Sequence, residues 1–230
     1  MKKQGLYAIP GWGFNSQIFE SFIPARGLDY ITQHDLNITT IALNLGRTIQ
    51  SNAVLMAWSL GGLIAIKMAA LYPEKIIGLV LMASQPQWIS DGANSGLSLL
   101  DAEHFILRAQ QNFDELFNHF LKLSCYPSHA RQQKNKLIHH AIADHPTELI
   151  SFLTKALSLD LTEDYASIDC PLLHLCGSND AVINQKDYVF SHHARVKHIQ
   201  GAGHAGFMTH KGIYLEHIYG FLNDLPSLKK

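Results

Sequence analysis

The sequence has little excess charge and few cysteines. Its 230 residues carry 18 lysines and arginines against 19 aspartates and glutamates, a formal net charge of −1. Proteins that hold nucleic acid or an anionic membrane by general attraction carry a basic surplus, so this balance predicts neither partner. The three cysteines, Cys125, Cys170 and Cys176, are odd in number and far apart, which favours a reducing compartment over a disulfide framework.

The amino-terminal region lacks a long hydrophobic run. The apolar residues after Lys2 and Lys3 are interrupted at Pro10 and Gly11, too early for the core of a signal peptide or for a membrane span. With 47% hydrophobic residues, the chain still has enough apolar material for one sizeable core. We therefore expect a cytoplasmic, monomeric protein that folds as one domain with an insertion.

Several well-known chemical motifs are missing as well. The sequence contains neither a Walker loop nor H-E-x-x-H. The pairs His139-His140 and His192-His193 are adjacent in sequence, and neighbours on a helix diverge by about 100°, which is a poor start for a metal site. We expect no cofactor and no metal.

Short apolar runs alternate with helical patterns at both ends of the chain, which predicts a mostly parallel sheet flanked by helices, an α/β fold. The predicted strands are 6–9, 30–32, 53–58, 76–83, 171–176 and 195–199, and the predicted helices are 17–24, 38–50, 61–71, a short one after residue 180, and 212–222. Between them the apolar residues recur at helical spacing, which predicts four helices. We expect residues 1–85 and 166–230 to form the core and residues 86–165 to form a helical lid.

The stretch A-W-S-L-G at 57–61 places a serine between a predicted buried strand and a predicted helix. A serine nucleophile on such a sharp turn needs small neighbours, because the backbone is strained and the helix must approach the strand closely. Ala57 and Gly61 occupy the two small positions of the pattern G-x-S-x-G, with alanine replacing the first glycine. Ser59 is therefore a candidate nucleophile, and a serine that caps the helix is the alternative.

A serine attacks an ester only when a base removes its proton and a third group orients that base. Where the nucleophile lies on a strand-to-helix turn, the chain order is serine, acid, histidine. Asp180 follows the predicted strand 171–176, and His204 follows the strand 195–199. Both come at strand ends, where open α/β sheets place their sites. A turn aspartate and an ordinary loop histidine are the alternatives for the single residues, but their joint order favours a catalytic triad.

An oxyanion hole needs two backbone N–H groups, one from the residue after the nucleophile and one from a loop after an early strand. Leu60 provides the first. For the second we choose Trp12 in the loop Pro10-Gly11-Trp12-Gly13-Phe14, with a Pro-Gly turn that merely packs a tryptophan as the alternative.

Six stretches carry a family resemblance: G-W-G-F-N at 11–15, W-S-L-G-G-L at 58–63, Y-P-E-K-I at 72–76, F-L-K-L at 120–123, G-S-N-D at 177–180 and G-H-A-G-F at 203–207. They resemble the α/β-hydrolases, and within them the pimeloyl-[acyl-carrier protein] methyl ester esterases of biotin synthesis. The resemblance implies a cofactor-independent serine carboxylesterase that demethylates a pimeloyl chain attached to acyl-carrier protein. It also implies that Ser59, Asp180 and His204 are the triad, that Trp12 and Leu60 bind the oxyanion, and that Phe120 lines the acyl channel.

Ala57 is one departure from the family pattern, and the sequence shows two more. The segment between residues 36 and 52 is short and lacks a glycine-rich loop, which would leave one pocket wall more open. The family docks the acidic carrier on arginines of the lid. Arg131 matches one of them, but Glu115 and His119 stand where further arginines are expected.

Three lysines, Lys122, Lys134 and Lys136, are available to compensate for the missing arginines, although any one of them would be an ordinary solvated residue. We take Arg131 and Lys134 as the docking candidates. Phe113 and Phe117 are further candidates for the channel, with plain core packing as the alternative. For the whole chain, a broad small-ester carboxylesterase or thioesterase without a carrier partner is the alternative function, followed by a non-catalytic binding protein of the same fold.

Overall fold

Six parallel strands form one sheet in the computed structural model, which describes residues 5–90, 92, 95–128, 131–185, 188 and 190–225, with only the backbone described at Arg131 and Gln132. The strands are β1 (Gly5–Ile9), β2 (Arg26–Gly27), β3 (Ala53–Trp58), β4 (Ile76–Met82), β5 (Leu172–Gly177) and β6 (Ala194–Ile199). Their order is β2-β1-β3-β4-β5-β6, and every neighbouring pair is parallel. The predicted parallel α/β sheet is therefore confirmed.

The central strands are buried because helices cover the sheet. All six residues of β3, A-V-L-M-A-W, are buried, and so are six of the seven in β4. A strand that is covered on both faces has to be apolar throughout, which is why these two strands were visible as continuous hydrophobic runs.

Nine helices occur in the described residues. They are α1 (Ile38–Thr48), α2 (Gly61–Leu71), α3 (Leu99–Gln111), α4 (Phe113–Cys125), α5 (Arg131–His139), α6 (Pro146–Leu157), α7 (Thr162–Ala166), α8 (Gly206–Thr209) and α9 (Lys211–Asp224). Among these helices, none has the length and the apolar composition needed to cross a bilayer.

The segment between β4 and β5 contains the four expected helices, α3 to α6, and a short fifth one. This fifth helix, α7, lies against α2, where the Lys67 ammonium contacts the Asp164 carboxylate at 2.8 Å. The division of the chain into a core and a lid at residues 86 and 165 stays a prediction.

Three local predictions were wrong. Residues 30–32 are not a strand; Tyr30 and Ile31 are buried without joining the sheet, and the strand is the two-residue β2. Residues 17–24 form only a short 3₁₀ helix, Ser16–Phe19, whose first turn is capped by the Asn15 side chain. The short helix expected after Asp180 is not found in the described part of that stretch, and Lys186, Asp187 and Val189 lie outside the described residues.

Candidate active site

Ser59 lies on a strained turn between β3 and α2. Its φ of 56° falls in the left-handed region, which costs energy for a residue with a side chain and is tolerated where the surrounding structure enforces it. The backbone is held on both sides, because the Ser59 N–H donates to the Met82 carbonyl at 3.0 Å and its own carbonyl accepts the Gly62 N–H at 2.9 Å. The turn therefore presents the hydroxyl at the carboxyl end of the sheet, as a nucleophile elbow does.

The two glycines that follow allow the helix to approach closely. A Cβ on Gly61 would lie 2.2 Å from the Pro10 carbonyl oxygen, and one on Gly62 would lie 1.9 Å from the Ser84 hydroxyl. Both positions therefore exclude larger residues. Ala57, in contrast, is fully buried at the end of β3, and its methyl group is accommodated there.

His204 bridges the serine and an acid. Its Nε2 lies 2.8 Å from the Ser59 Oγ, and its Nδ1 lies 2.8 Å from the Asp180 Oδ2. The side chains of His204 and Asp180 are 0% and 3% exposed, so bulk water does not compete for these bonds. The structure thus brings together the three residues that the sequence places after β3, β5 and β6.

The acid and the base are each held by a second contact. The other oxygen of Asp180, Oδ1, accepts the backbone N–H groups of Val182 and Ile183 at 2.8 and 3.0 Å. The Trp58 indole N–H donates to the His204 carbonyl at 2.9 Å. The acid and the backbone of the histidine are therefore both held in place before any substrate arrives, which favours efficient proton transfer.

Trp12 and Leu60, the two residues expected to bind an oxyanion, line the same cavity as Ser59. Within the described residues, no carbonyl or side chain accepts a hydrogen bond from either backbone N–H. A buried N–H group is almost always paired, so two such groups beside a nucleophile are available for an oxyanion.

A cavity of about 180 Å³ opens at Ser59. Its walls come from the elbow, from three of the helices between β4 and β5, and from the loop after Asp180. They consist of Trp12, Ser59, Leu60, Trp88, Leu97, Asp101, Phe105, Phe120, Leu123, Leu153, Leu157, Ala181 and Val182. Of these described residues, Asp101 is the one with a charged side chain, so the site suits an uncharged chain of methylene groups.

The aromatic residues of α4 divide into two groups. Phe120 lines the cavity, and its ring centroid lies 6.2 Å from that of His204; its role in an acyl channel stays a prediction. Phe113 and Phe117 do not line the cavity; their rings stack on each other at 5.5 Å and pack against the Trp12 indole. These contacts agree with the core packing that helical apolar spacing favours for the two residues.

Sequence reasoning missed most of the cavity wall. Trp88 and Leu97 come from the segment that leads into α3, Phe105 comes from α3 itself, and Leu153 and Leu157 come from α6. Each belongs to an ordinary apolar pattern, so the sequence contains no signal that separates cavity walls from filled core.

The predicted docking residues lie on α5. The side chain of Arg131 lies outside the described residues; Lys134 is half-buried and Lys136 is exposed. On α4, Lys122 and His119 are exposed, and the Glu115 carboxylate faces the Arg108 guanidinium at 3.8 Å.

Other titratable groups near the site do not offer a second nucleophile. Burial, together with the charge of Asp180, raises the pKa of the Cys176 thiol to about 12, which keeps it protonated and unreactive. Burial also raises the pKa of the Cys125 thiol, against a smaller opposing effect of Lys134. In the part of the chain that the structure describes, no three His, Cys, Asp or Glu side chains are grouped as metal ligands.

The sequence is similar to known hydrolases over almost its whole length. The sequence model of the alpha/beta hydrolase family matches residues 6–213. The pimeloyl-[acyl-carrier protein] methyl ester esterase of Sodalis glossinidius is 27% identical over 233 residues, covering 89% of this chain and 88% of that protein. The protein of the same name from Photobacterium profundum is 27% identical over 239 residues, covering 94% of each.

Solved structures share the fold. An esterase from Exiguobacterium antarcticum superimposes with a TM-score of 0.80 at 18% identity, covering 96% of this chain and 92% of that one. A hydrolase from Oleispira antarctica gives 0.83 at 14% identity, covering 97% and 92%. At these identities the likeness speaks for the fold alone; the sequence comparisons carry the family.

Proposed function

The chain belongs to the alpha/beta hydrolase family, and from this premise we propose that it removes the methyl group from a pimeloyl chain attached to acyl-carrier protein, with Ser59 as the nucleophile. The family and the esterases among its relatives make it an enzyme, a carboxylic ester hydrolase. The proposal adds the substrate and the residues that act on it.

One observation carries the catalytic part of the proposal. The Ser59 Oγ lies 2.8 Å from the His204 Nε2, and the His204 Nδ1 lies 2.8 Å from the Asp180 Oδ2. The three buried side chains thus form a continuous hydrogen-bonded chain, and Ser59 lines the apolar cavity. This is the geometry in which a histidine takes a proton from the serine while a carboxylate fixes its tautomer.

In acylation, the Ser59 Oγ attacks the carbonyl carbon of the methyl ester as its proton moves to the His204 Nε2. Negative charge develops on the carbonyl oxygen, and the backbone N–H groups of Trp12 and Leu60 donate hydrogen bonds to this oxygen. The protonated His204 then gives its proton to the departing methoxy group, which leaves as methanol, and the acyl chain remains on Ser59 as an ester.

In deacylation, a water molecule takes the place of methanol. His204 accepts a proton from the water as its oxygen attacks the acyl carbon, and then returns a proton to the Ser59 Oγ as that bond breaks. The product is a free carboxylate at the end of a pimeloyl chain that is still attached to its carrier through the thioester.

Two features, the cavity and helix α5, support the proposed choice of substrate. The apolar walls suit a methylene chain without charge. Helix α5, R-Q-Q-K-N-K-L-I-H, contains three basic residues and no acidic one, which suits an acidic carrier whose approach is steered by long-range attraction.

A broad-specificity carboxylesterase or thioesterase is the second candidate, favoured by acidic residues on α3 and α4, two of the helices that form the cavity wall. Asp101 lines the cavity. Glu115 on the neighbouring α4 forms an ion pair with the Arg108 guanidinium, which removes that positive charge as a docking contact for a carrier. Negative charge at this face would oppose an acidic carrier and would not affect small neutral esters.

Replacement of Ser59 by alanine tests the catalytic assignment. We expect S59A to lose at least about 10⁴-fold in kcat on a short p-nitrophenyl ester, because removal of a triad nucleophile leaves only the background that the oxyanion hole provides. Circular dichroism would verify the fold. Activity of S59A within tenfold of the parent would contradict the assignment and would favour the non-catalytic reading of the triad.

The substrate is tested separately by comparing carrier-bound pimeloyl methyl ester with the same acyl group on free pantetheine. We expect kcat/KM to be about tenfold higher for the carrier-bound ester, with the difference shrinking as salt screens the attraction. Equal values would assign the chain to the generalist esterases. Restored growth without biotin in a strain that lacks such an esterase would support the proposal in the cell.

A further inference from the structure

The loop of residues 10–15, called here the oxyanion loop, is fixed from the side of the nucleophile. A Cβ on Gly11 would lie 3.0 Å from the Ser59 Cβ and equally close to the Trp58 ring. The loop therefore rests on the elbow without space for a larger residue, and its position relative to Ser59 is sensitive to small shifts.

The same loop is bound to the helical segment on its other side. The Trp12 indole N–H donates to the Leu149 carbonyl of α6 at 2.8 Å, and this bond is buried. The Gly13 carbonyl accepts the Ile142 N–H at 3.0 Å, and the Asn15 N–H donates to the His140 carbonyl at 3.1 Å. Two hydrogen bonds thus join the oxyanion loop to the chain between α5 and α6, and a third joins it to α6 itself.

Aromatic packing adds a contact with α3 and α4. The Trp12 ring, 2% exposed, makes edge-to-face contacts with four phenylalanines at centroid distances between 5.2 and 6.1 Å, a favourable geometry for aromatic pairs. They are Phe105, Phe113, Phe117 and Phe120. Gly13, at φ +81°, lies so close to Phe117 that a Cβ there would be 2.3 Å from the ring.

We propose that the Trp12 side chain is a positioning element through which α3, α4 and α6 set the place of the Trp12 backbone N–H in the oxyanion hole. The inference rests on the proposed function, because it needs that N–H to be an oxyanion donor. The helices that form the cavity wall and the donor that stabilises the transition state are then one mechanical unit. A displacement of α4 or α6 that opens the cavity moves the donor away from Ser59.

The variant Trp12→Phe tests this inference, since it removes the indole N–H and keeps an aromatic ring. We expect kcat on a short p-nitrophenyl ester to fall about 10- to 100-fold. A misplaced N–H group no longer stabilises the oxyanion, and the oxyanion develops mainly in the transition state. KM should stay within about twofold, since ground-state binding does not depend on that donor.

An inhibitor pair separates positioning from packing. A trifluoromethyl ketone forms a tetrahedral adduct when the Ser59 oxygen adds to its carbonyl, and the adduct carries the oxyanion. We expect its affinity for W12F to fall in parallel with kcat/KM, while the affinity of the matching methyl ketone, which stays trigonal, is unchanged. Equal losses for both ketones, or a rise in KM alone, would overturn the inference and leave Trp12 as a wall of the cavity.

Two further variants keep the test decisive. Phe113→Leu loosens the packing on Trp12 at a half-exposed position that does not line the cavity, and we expect a three- to tenfold loss of kcat at unchanged KM. Phe221→Leu in α9, which packs beside Gly78 far from the site, is the control with a similar loss of ring volume and unchanged kcat.

If W12F does not fold, F113L decides by the same criterion. F113L with the same kcat as F221L would refute the inference. Failure of the inference can be told from failure of the proposed function, because the latter would appear as an active S59A, whatever W12F does.

Discussion

The carboxyl edge of the sheet and the helical segment from α3 to α6 contribute to the same cavity in different ways. At the sheet edge, two hydrogen bonds of 2.8 Å join Ser59 to His204 and His204 to Asp180. The helical segment supplies mainly apolar wall, in which each side chain touches several others. A hydrogen bond between two catalytic groups has no substitute, whereas a wall residue shares its task with its neighbours.

The comparison separates chemistry from selectivity. Changes at the sheet edge should alter kcat steeply and for every substrate. Changes in the helical segment should alter which substrate is preferred, by smaller factors, except where a helix is bound to the oxyanion loop through Trp12. The expected effects below are ordered from the largest to the smallest.

Asp180→Asn breaks the orientation of the base at the sheet edge. We expect kcat to fall about 10³- to 10⁴-fold for all esters, because an amide stabilises the wrong tautomer of His204, while KM changes little. Steady-state kinetics on a p-nitrophenyl ester measure the effect, and Asp144→Asn, an exposed aspartate, is the control. A loss below tenfold would mean that Asp180 does not orient the histidine.

His174, in the interior of the sheet, should make stability depend on pH. Burial lowers the pKa of this histidine from 6.5 to about 3, and its Nε2 lies 2.8 Å from the Tyr165 hydroxyl. The unfolded chain therefore binds more protons than the folded chain between these values. The associated stability is fully present above pH 6.5 and is lost as the pH falls, by about 2 kcal/mol at pH 5.

Urea unfolding at pH 7 and pH 5 measures this effect. His174→Gln should remove most of the dependence, because glutamine does not titrate and still reaches the Tyr165 hydroxyl. His193→Gln, at an exposed position, is the matched control and should keep the dependence. The same pH dependence in both variants would show that another group is responsible.

Leu123→Trp fills part of the cavity from the helical side. We expect kcat/KM to fall about tenfold for esters of long acyl chains and to change little for acetate esters, because a pocket discriminates by roughly 1–3 kcal/mol for each methylene group. A series of p-nitrophenyl esters measures the preference, and Leu107→Trp, at an exposed position of α3 that does not line the cavity, is the control. Uniform losses along the series would indicate that the acyl chain leaves by another route.

Lys136→Glu reverses an exposed charge on α5. We expect KM for carrier-bound substrate to rise about threefold at low salt and KM for a free ester to stay unchanged, since a single rim charge acts mainly on association. Lys197→Glu on β6, equally exposed, makes the same change of net charge and should have no effect. If both variants weaken carrier binding equally, net charge rather than α5 guides the partner.

The triad was predictable because its signals are local. A left-handed serine requires small neighbours, and Gly61 and Gly62 identify the turn in the sequence. Asp180 and His204 each follow a readable apolar strand, and parallel strands bring their carboxyl ends to one edge. The candidate triad could therefore be picked out although Ser59 and His204 are 145 positions apart in the chain.

Predictions failed where burial and hydrogen bonding diverge. Tyr30 and Ile31 are apolar and therefore resemble a strand in the sequence. They are buried without pairing in the sheet, and the ring centroids of Tyr30 and Phe152 lie 4.7 Å apart. The true strand, Arg26–Gly27, has exposed side chains and no apolar pattern. Its place in the sheet depends on backbone pairing with Tyr7 and Ala8, which composition does not encode.

The sequence by itself determined the α/β order of the elements, the family, and the three residues expected to act on the ester, because strand ends and tight turns have local signatures. Only the tertiary structure decided which of the phenylalanines that pack on Trp12 also line the cavity. That choice depends on the rotation of α3 and α4 about their own axes, which is fixed by contacts with the oxyanion loop and α6. Apolar periodicity gives a buried face of a helix but does not tell what that face touches.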